Sequence, residues 1–310
     1  MTQHRWIAIA AYILLGVVWG TYFVFMQAAD PYITAGQTTL IRLIFGVMPI
    51  LIFGIITTNI SWRHLRYTHH FAVQGVLAAG FYYYAYAEGT YRLDSSIAGV
   101  MSGSIPLFAS ISAIILFRTE GTTWRKTLGL FLGTLGMVIV AQPWNASSID
   151  GSGILWMLAG SASLGISFGY ARRFITPLKI PSAAAATYQM LLASVFTALF
   201  IDLDGITNIQ QNSLALVIVI VGLGIVGTGF AFVFYYTAVN GLGAVTASSA
   251  TYIPPVVALI IGVGFLHEQF QILVIFGIVL TIAGAVIIQL PQRKSRKTPQ
   301  RTPEKVTCAA

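Results

Sequence analysis

Apolar residues along this chain gather into runs of about twenty, broken by short polar or charged stretches. A helix that crosses a bilayer needs roughly 20 mostly apolar residues. On that template the pattern predicts ten spans, over 6–26, 33–56, 71–91, 96–117, 126–143, 153–171, 182–201, 213–237, 245–266 and 271–290. The first run follows Arg5 but is too long for a signal-peptide core and ends in no A-x-A-like site, so it is expected to be a retained helix. From Pro291 onward the chain is Pro-rich and basic with no apolar period, which predicts a disordered cytoplasmic tail over 291–310, held near anionic lipid by its charge. The fold class expected is an all-α polytopic membrane protein.

Composition narrows the functional classes. Charged residues make up 8% and apolar residues 56%, against about 25% charged in a soluble domain, and mean hydropathy is +0.80. That excludes a water-soluble enzyme, a nucleic-acid binder and a disordered chain. The net charge of +8 sits in short loops and the tail, where membrane topology accounts for it. With the N-terminus inside, fifteen of the seventeen Lys and Arg residues fall on the inner side, leaving Arg92 outside and Arg42 within a span. Basic residues favour the cytoplasmic side, so both termini are expected to be cytoplasmic, in the cell's inner membrane. Asp30, Asp94, Asp150, Asp202, Asp204 and Glu268 fall in outer loops. The single cysteine, Cys308, excludes a disulfide scaffold or a cysteine metal site, and its place third from the end excludes prenylation.

An internal repeat organises the chain. A shift of 148 residues lays Ser96–Glu120 over Ala244–Glu268 without a gap, aligning Pro106 with Pro254 and Glu120 with Glu268. The same shift lays Gly129 on Gly277 and Gly136 on Gly284. The repeat predicts two units, 1–143 and 144–290, of five helices each. Five being odd, the second unit enters the membrane from the opposite face. Inverted repeats of this kind are a transporter signature, with the solute held near the midplane between the halves.

The chain resembles the ten-helix drug/metabolite transporter superfamily, of the EamA-like type. Trp19-Gly20-Thr21-Tyr22-Phe23 is similar to that family's first-span motif, and Arg42 stands where the family has its second-span arginine. Pro106 with Glu120, and Tyr252-Ile253-Pro254 with Glu268, resemble its proline–glutamate pattern in each half. The likeness covers about 6–290, and what it implies is export, or in some members uptake, of small organic solutes such as amino acids.

Candidate functional residues fall in three groups. Pro106, Pro254 and Pro255 lie inside apolar runs, where each frees a backbone carbonyl, of Ser102, Ala250 and Thr251, and makes a hinge. Ser95, Ser96, Ser102, Ser104, Thr246, Ser248, Ser249 and Thr251 surround them. These turns form either a wet pathway or close packing through small residues. The second group is Arg42 and Glu88, buried at depths about 6–9 Å apart by helix rise. They form an ion pair fixing the second and third spans, or Glu88 meets a substrate ammonium or a coupling proton. The third is aromatic. Tyr82, Tyr83, Tyr84 and Tyr86 precede Glu88, and the shift maps Tyr84 and Glu88 onto Phe232 and Tyr236. Such walls suit an amphipathic solute. Trp19, deep in the first span with Tyr22, belongs with them, whereas Trp6, Trp62, Trp124 and Trp144 read as interfacial anchors.

The rivals lack parts. All five histidines lie in loops or at span ends, every lysine lies outside the spans or, as Lys126, at a span end, and no P-loop or H-E-x-x-H occurs. Gly222–Gly227 matches a dinucleotide fingerprint only formally, in mid-span. A channel would need a charge ring or carbonyl filter. The expectation is therefore a secondary transporter rather than an enzyme, without metal or organic cofactor. Its partners are the bilayer, a small-molecule substrate and candidate protons. An amino acid is the first substrate candidate and a drug-like organic cation the second.

Overall fold

A computed structural model describes residues 3–57, 60–119, 123–141, 150–242, 247, 249–268 and 272–289. Glu120, Trp144, Thr246, Ser248, the junction between the two predicted units and the tail lie outside them. Among the described residues the chain is helical throughout, with no strand.

The helices in chain order are α1 (Gln3–Gln27), α2 (Ala35–Thr57), α3 (68–90), α4 (Ser95–Leu116) and α5 (Trp124–Ala141). They continue with α6 (Gly151–Leu178), α7 (Ser182–Phe200), α8 (Ser213–Leu242), α9 (Ala250–Gly264) and α10 (Ile272–Gln289). Short 3-10 turns over Trp62–Tyr67 and Ile206–Gln211 fill two of the connections. Six helices, α1, α2, α4, α6, α7 and α8, are long and apolar enough to cross a membrane, and α9 and α10 are shorter apolar helices. The chain is an integral membrane protein on this evidence. α3 is richer in polar groups, carrying Gln74, four tyrosines and Glu88, and it buries most of that tyrosine face inside the bundle.

Helix partners follow a regular scheme. α1 packs on α8 and α9, and α6 on α3 and α4; α2 packs on α8, and α7 on α3. α4 packs on α9, α2 on α7, and α5 on α10. Water cannot satisfy backbone groups inside a membrane, and apolar burial between helices gains little there, so close packing of small residues does the holding. The α5–α10 seam shows this. A Cβ on Gly136 would lie 2.5 Å from the Gly277 carbonyl oxygen, and one on Gly277 would lie 2.8 Å from the Gly136 carbonyl oxygen. Gly129 and Gly284 oppose each other in the same way, at 2.6 and 2.5 Å. Backbones this close leave no room for any side chain.

The helices are also locally rewound. Wide π-type turns at Val76–Gly80 and Ile218–Phe230 directly precede the aromatic runs of α3 and α8. 3-10 turns at Ser102–Ser104 and Ser249–Tyr252 precede the proline-bearing segments. The prolines thus differ from the mid-helix kinks expected. Pro106 and Pro254 sit in the first turn of a new helical segment, where no backbone N–H is required. The Ser102 carbonyl, expected to be freed, accepts from the Ile105 N–H as the 3-10 turn closes.

Candidate functional site

Between the helices lies a cavity of about 810 Å3, to which every helix except α7 contributes lining residues. Its wall is largely aromatic and small: Trp19 and Tyr22 from α1, Tyr82 and Tyr83 from α3, Phe232 and Tyr235 from α8. Trp19 and Tyr235 stack at 6.5 Å with 28° between ring planes. Tyr22 and Tyr82 share a hydrogen bond between their hydroxyls at 3.2 Å. Ser102, Pro106, Thr251 and Pro254 line the cavity where the two 3-10 turns meet it.

Arg42 also lines the cavity and is 2% exposed. Its Nε donates to Thr228 Oγ1 at 2.8 Å, and Thr228 Oγ1 donates in turn to the Leu223 carbonyl at 2.9 Å. The hydroxyl is placed by the wide turn in α8 and by Gly46, where a Cβ would lie 2.6 Å from Thr228 Cγ2. The guanidinium carbon lies 3.8 Å from the Tyr83 ring centroid and 4.8 Å from that of Tyr22, within cation–π range. Arg42 Nη1 is buried and has no hydrogen-bond partner. Thr119, Thr123, Lys126 and Arg172 belong to the lining as well, of which Arg172 is exposed and Lys126 buried.

The structure separates Arg42 from Glu88. Glu88 forms an ion pair with Arg92, in the turn just after α3, and neither lines the cavity. The i,i+4 partner is the nearer one, so the expected pair between the second and third spans is replaced by a local pair at the end of α3. Of the other tyrosines, Tyr86 is buried and hydrogen-bonds Ser161 Oγ at 2.8 Å, and Tyr84 meets Trp156 edge-on at 5.6 Å. Tyr236 packs on Phe232 and donates to the Ser182 carbonyl at 2.9 Å. Tyr252 and Pro255 also stand outside the cavity lining. Ser102 and Ser104 donate their hydroxyls to Gly99 and Met101 carbonyls of their own helix, at 2.5 and 2.7 Å. Trp6, Trp62 and Trp124 are exposed, as anchors would be.

Sequence reasoning missed two features. Lys126 and Arg172 end apolar runs and read as topology markers, although both reach the cavity. Glu268 read as an outer-loop charge and a repeat marker. Its carboxylate instead caps the start of α4: Oε1 accepts from Ser95 N and Oγ at 3.1 and 2.7 Å, Oε2 from Ser96 N at 3.1 Å, and Ser96 Oγ donates to it too. Asp94 beside it is held above the usual carboxylate range, first by burial and then by the Glu268 charge.

Comparison with known proteins fits this architecture. The model of the EamA-like transporter family matches twice, over residues 6–142 and 151–290. "Uncharacterized transporter YdfC" of Bacillus subtilis is 24% identical over 292 residues, spanning 94% of this chain and 93% of the relative. "Uncharacterized inner membrane transporter YedA" of Escherichia coli K12 is 25% identical, spanning 87% and 89%. A WAT1-related chloroplastic protein of Arabidopsis thaliana is 25% identical over 88% of this chain and 67% of its own. A crystal structure with 15% identity superposes with a TM-score of 0.59 over 90% of this chain and 95% of that one, a likeness of fold. A helical membrane bundle around an aromatic cavity, matched end to end by two copies of one family model, admits one assignment: this chain belongs to the EamA-like transporter family, within the drug/metabolite transporter superfamily.

Proposed function

We propose that the chain is a secondary carrier of the inner membrane that exports a small amphipathic metabolite by alternating access. The observation that carries this is the cavity of about 810 Å3, within the size range of small-molecule sites, lined by rings and hydroxyls from both halves. The ten helices are read as ten spans in two five-helix units, 1–143 and 144–290, with both termini cytoplasmic. Several features support the inverted repeat. The helix partners interchange under the 148-residue shift: α1–α8 becomes α6–α3, α1–α9 becomes α6–α4, and α2–α8 becomes α7–α3. The glycine contacts of α5 and α10 interchange likewise, and the 3-10 turn before Pro106 corresponds to the one before Pro254. On this topology the Glu268 clamp closes the outer end, and the end with Lys126 and Arg172 faces the cytoplasm.

An amino acid is the first substrate candidate, through its carboxylate and an apolar side chain. A drug-like cation fares worse, since a buried arginine repels it. Proton coupling was an expectation hung on Glu88, and with Glu88 held by Arg92 the cavity offers that role no carboxylate among the described residues. Counterflow in proteoliposomes tests the carrier reading. Vesicles preloaded with one member of a panel of amino acids, nucleosides and organic cations should accumulate the labelled form of that member saturably. Current or flux that grows without saturation would mean a pore, and no flux for any class would remove the carrier reading.

A further inference from the structure

We propose, building on the carrier reading, that the transported solute bears a carboxylate that docks on Arg42, with its apolar or aromatic body against Trp19, Phe232 and Tyr235. A guanidinium buried in a membrane bundle costs several kcal/mol unless it is paired or wet. Arg42 is 2% exposed, yet Glu88 pairs with Arg92 instead, and no carboxylate among the described residues lines the cavity.

Arg42 is nonetheless built into place. Thr228 accepts from Nε, the guanidinium carbon lies over the Tyr22 and Tyr83 rings, and Nη1 is left buried without an acceptor. A guanidinium held in place with one buried nitrogen unsatisfied at a cavity wall suits a carboxylate, the planar charged acceptor that arginine binds best. The same fork would reject an amide or amine of the same shape. An amide offers a neutral acceptor, and an ammonium adds a second positive charge. The aromatic wall is neutral and apolar, so the body recognised beside the acid is a ring or a branched chain. α-Amino acids with such side chains belong to this class, and so do simple aromatic acids. Lys126 and Arg172, in the lining of the same cavity, add basic character along the route.

The test uses the full-length purified protein in chloride-free buffer at pH 7, with phenylacetate, phenylacetamide and phenethylamine as a ladder of one ring and three head groups. Phenylacetate is expected to raise the melting temperature and to bind at least about tenfold more tightly than the other two, the ratio for a hydrogen bond to a charged group. Arg42→Gln should erase that preference, and Arg42→Lys should keep it with weaker binding. Should Arg42→Gln fail to fold, the wild-type ladder and the lysine variant still decide the matter. Equal binding of the amide or the amine, no binding of phenylacetate, or an equal shift from sodium chloride would each overturn the proposal, the last by showing an inorganic-anion site. Counterflow separates the two readings. Acid-selective binding with no flux would sink the carrier while leaving the Arg42 dock, whereas flux of amines alone would leave the carrier and sink the dock.

Discussion

Arg42 and Thr228 show how one membrane-buried charge is held. The threonine hydroxyl accepts from the guanidinium and donates to the Leu223 carbonyl, so both of its roles are filled. Thr228→Val keeps the shape but strips the acceptor, and it is expected to destabilise the protein by about 1–3 kcal/mol, read as a lower melting temperature. Glu88 makes the opposite case. Its partner Arg92 is partly exposed in the turn just after the same helix, and such an i,i+4 pair contributes only about 0.2–0.5 kcal/mol. Glu88→Gln should therefore leave both melting temperature and flux close to wild type, and loss of flux with normal expression would return Glu88 to the pathway. From sequence, the places of Arg42 and Glu88 in the second and third apolar runs were legible, but the direction in which each side chain points was not. Rotation about a helix axis depends on every turn before the residue, and the wide turn at Val76–Gly80 shifts it just ahead of the tyrosines.

At the scale of helices, contact between α5 and α10 depends on four glycines that leave no space for a Cβ. Gly136→Leu would drive a side chain into the backbone of α10, and a drop of about 1–3 kcal/mol or more, or loss of the monodisperse folded peak, is expected. Gly151→Ala, where nothing lies within 4 Å, serves as the control and should be near neutral. The start of α4 adds a pH dependence. Asp94 is held above its usual value by burial and by Glu268, so the folded state keeps that proton more firmly than the unfolded chain. Stability from this group is present at low pH and falls as pH rises from the usual carboxylate value through the raised one. Asp94→Asn should match wild type below pH 4 and melt higher than wild type at pH 7. The glycines and prolines announced close packing and breaks from sequence alone. That the breaks are 3-10 turns ahead of the prolines, and not kinks through them, came from hydrogen bonds that the one-dimensional pattern does not contain.

Across the whole molecule, the Glu268 carboxylate ties the end of α9 to the first residues of α4, through two backbone N–H groups and two hydroxyls. On the proposed topology this contact joins the two units at the outer face and must break whenever that face opens. Glu268→Gln weakens every charge-assisted bond in it. Lower thermal stability is expected, together with faster labelling of a cysteine introduced at Ser96 by an impermeant maleimide, in a Cys308→Ala background. Unchanged labelling would show that the clamp does not gate access. By itself the sequence determined that this is a helical, membrane-embedded protein of the EamA-like family, because run length, charge placement and ordered motifs are properties of the linear chain. It also singled out most of the aromatic wall, since Trp19, Tyr22, Tyr82, Tyr83 and Phe232 fall in three marked clusters. Only the tertiary structure decided that Arg42 meets Thr228 instead of Glu88, that Lys126 and Arg172 share its cavity, and that Glu268 caps a helix 172 residues away in sequence. Those pairings depend on how closely and at what rotation the helices meet, which glycine contacts and rewound turns set jointly across the bundle.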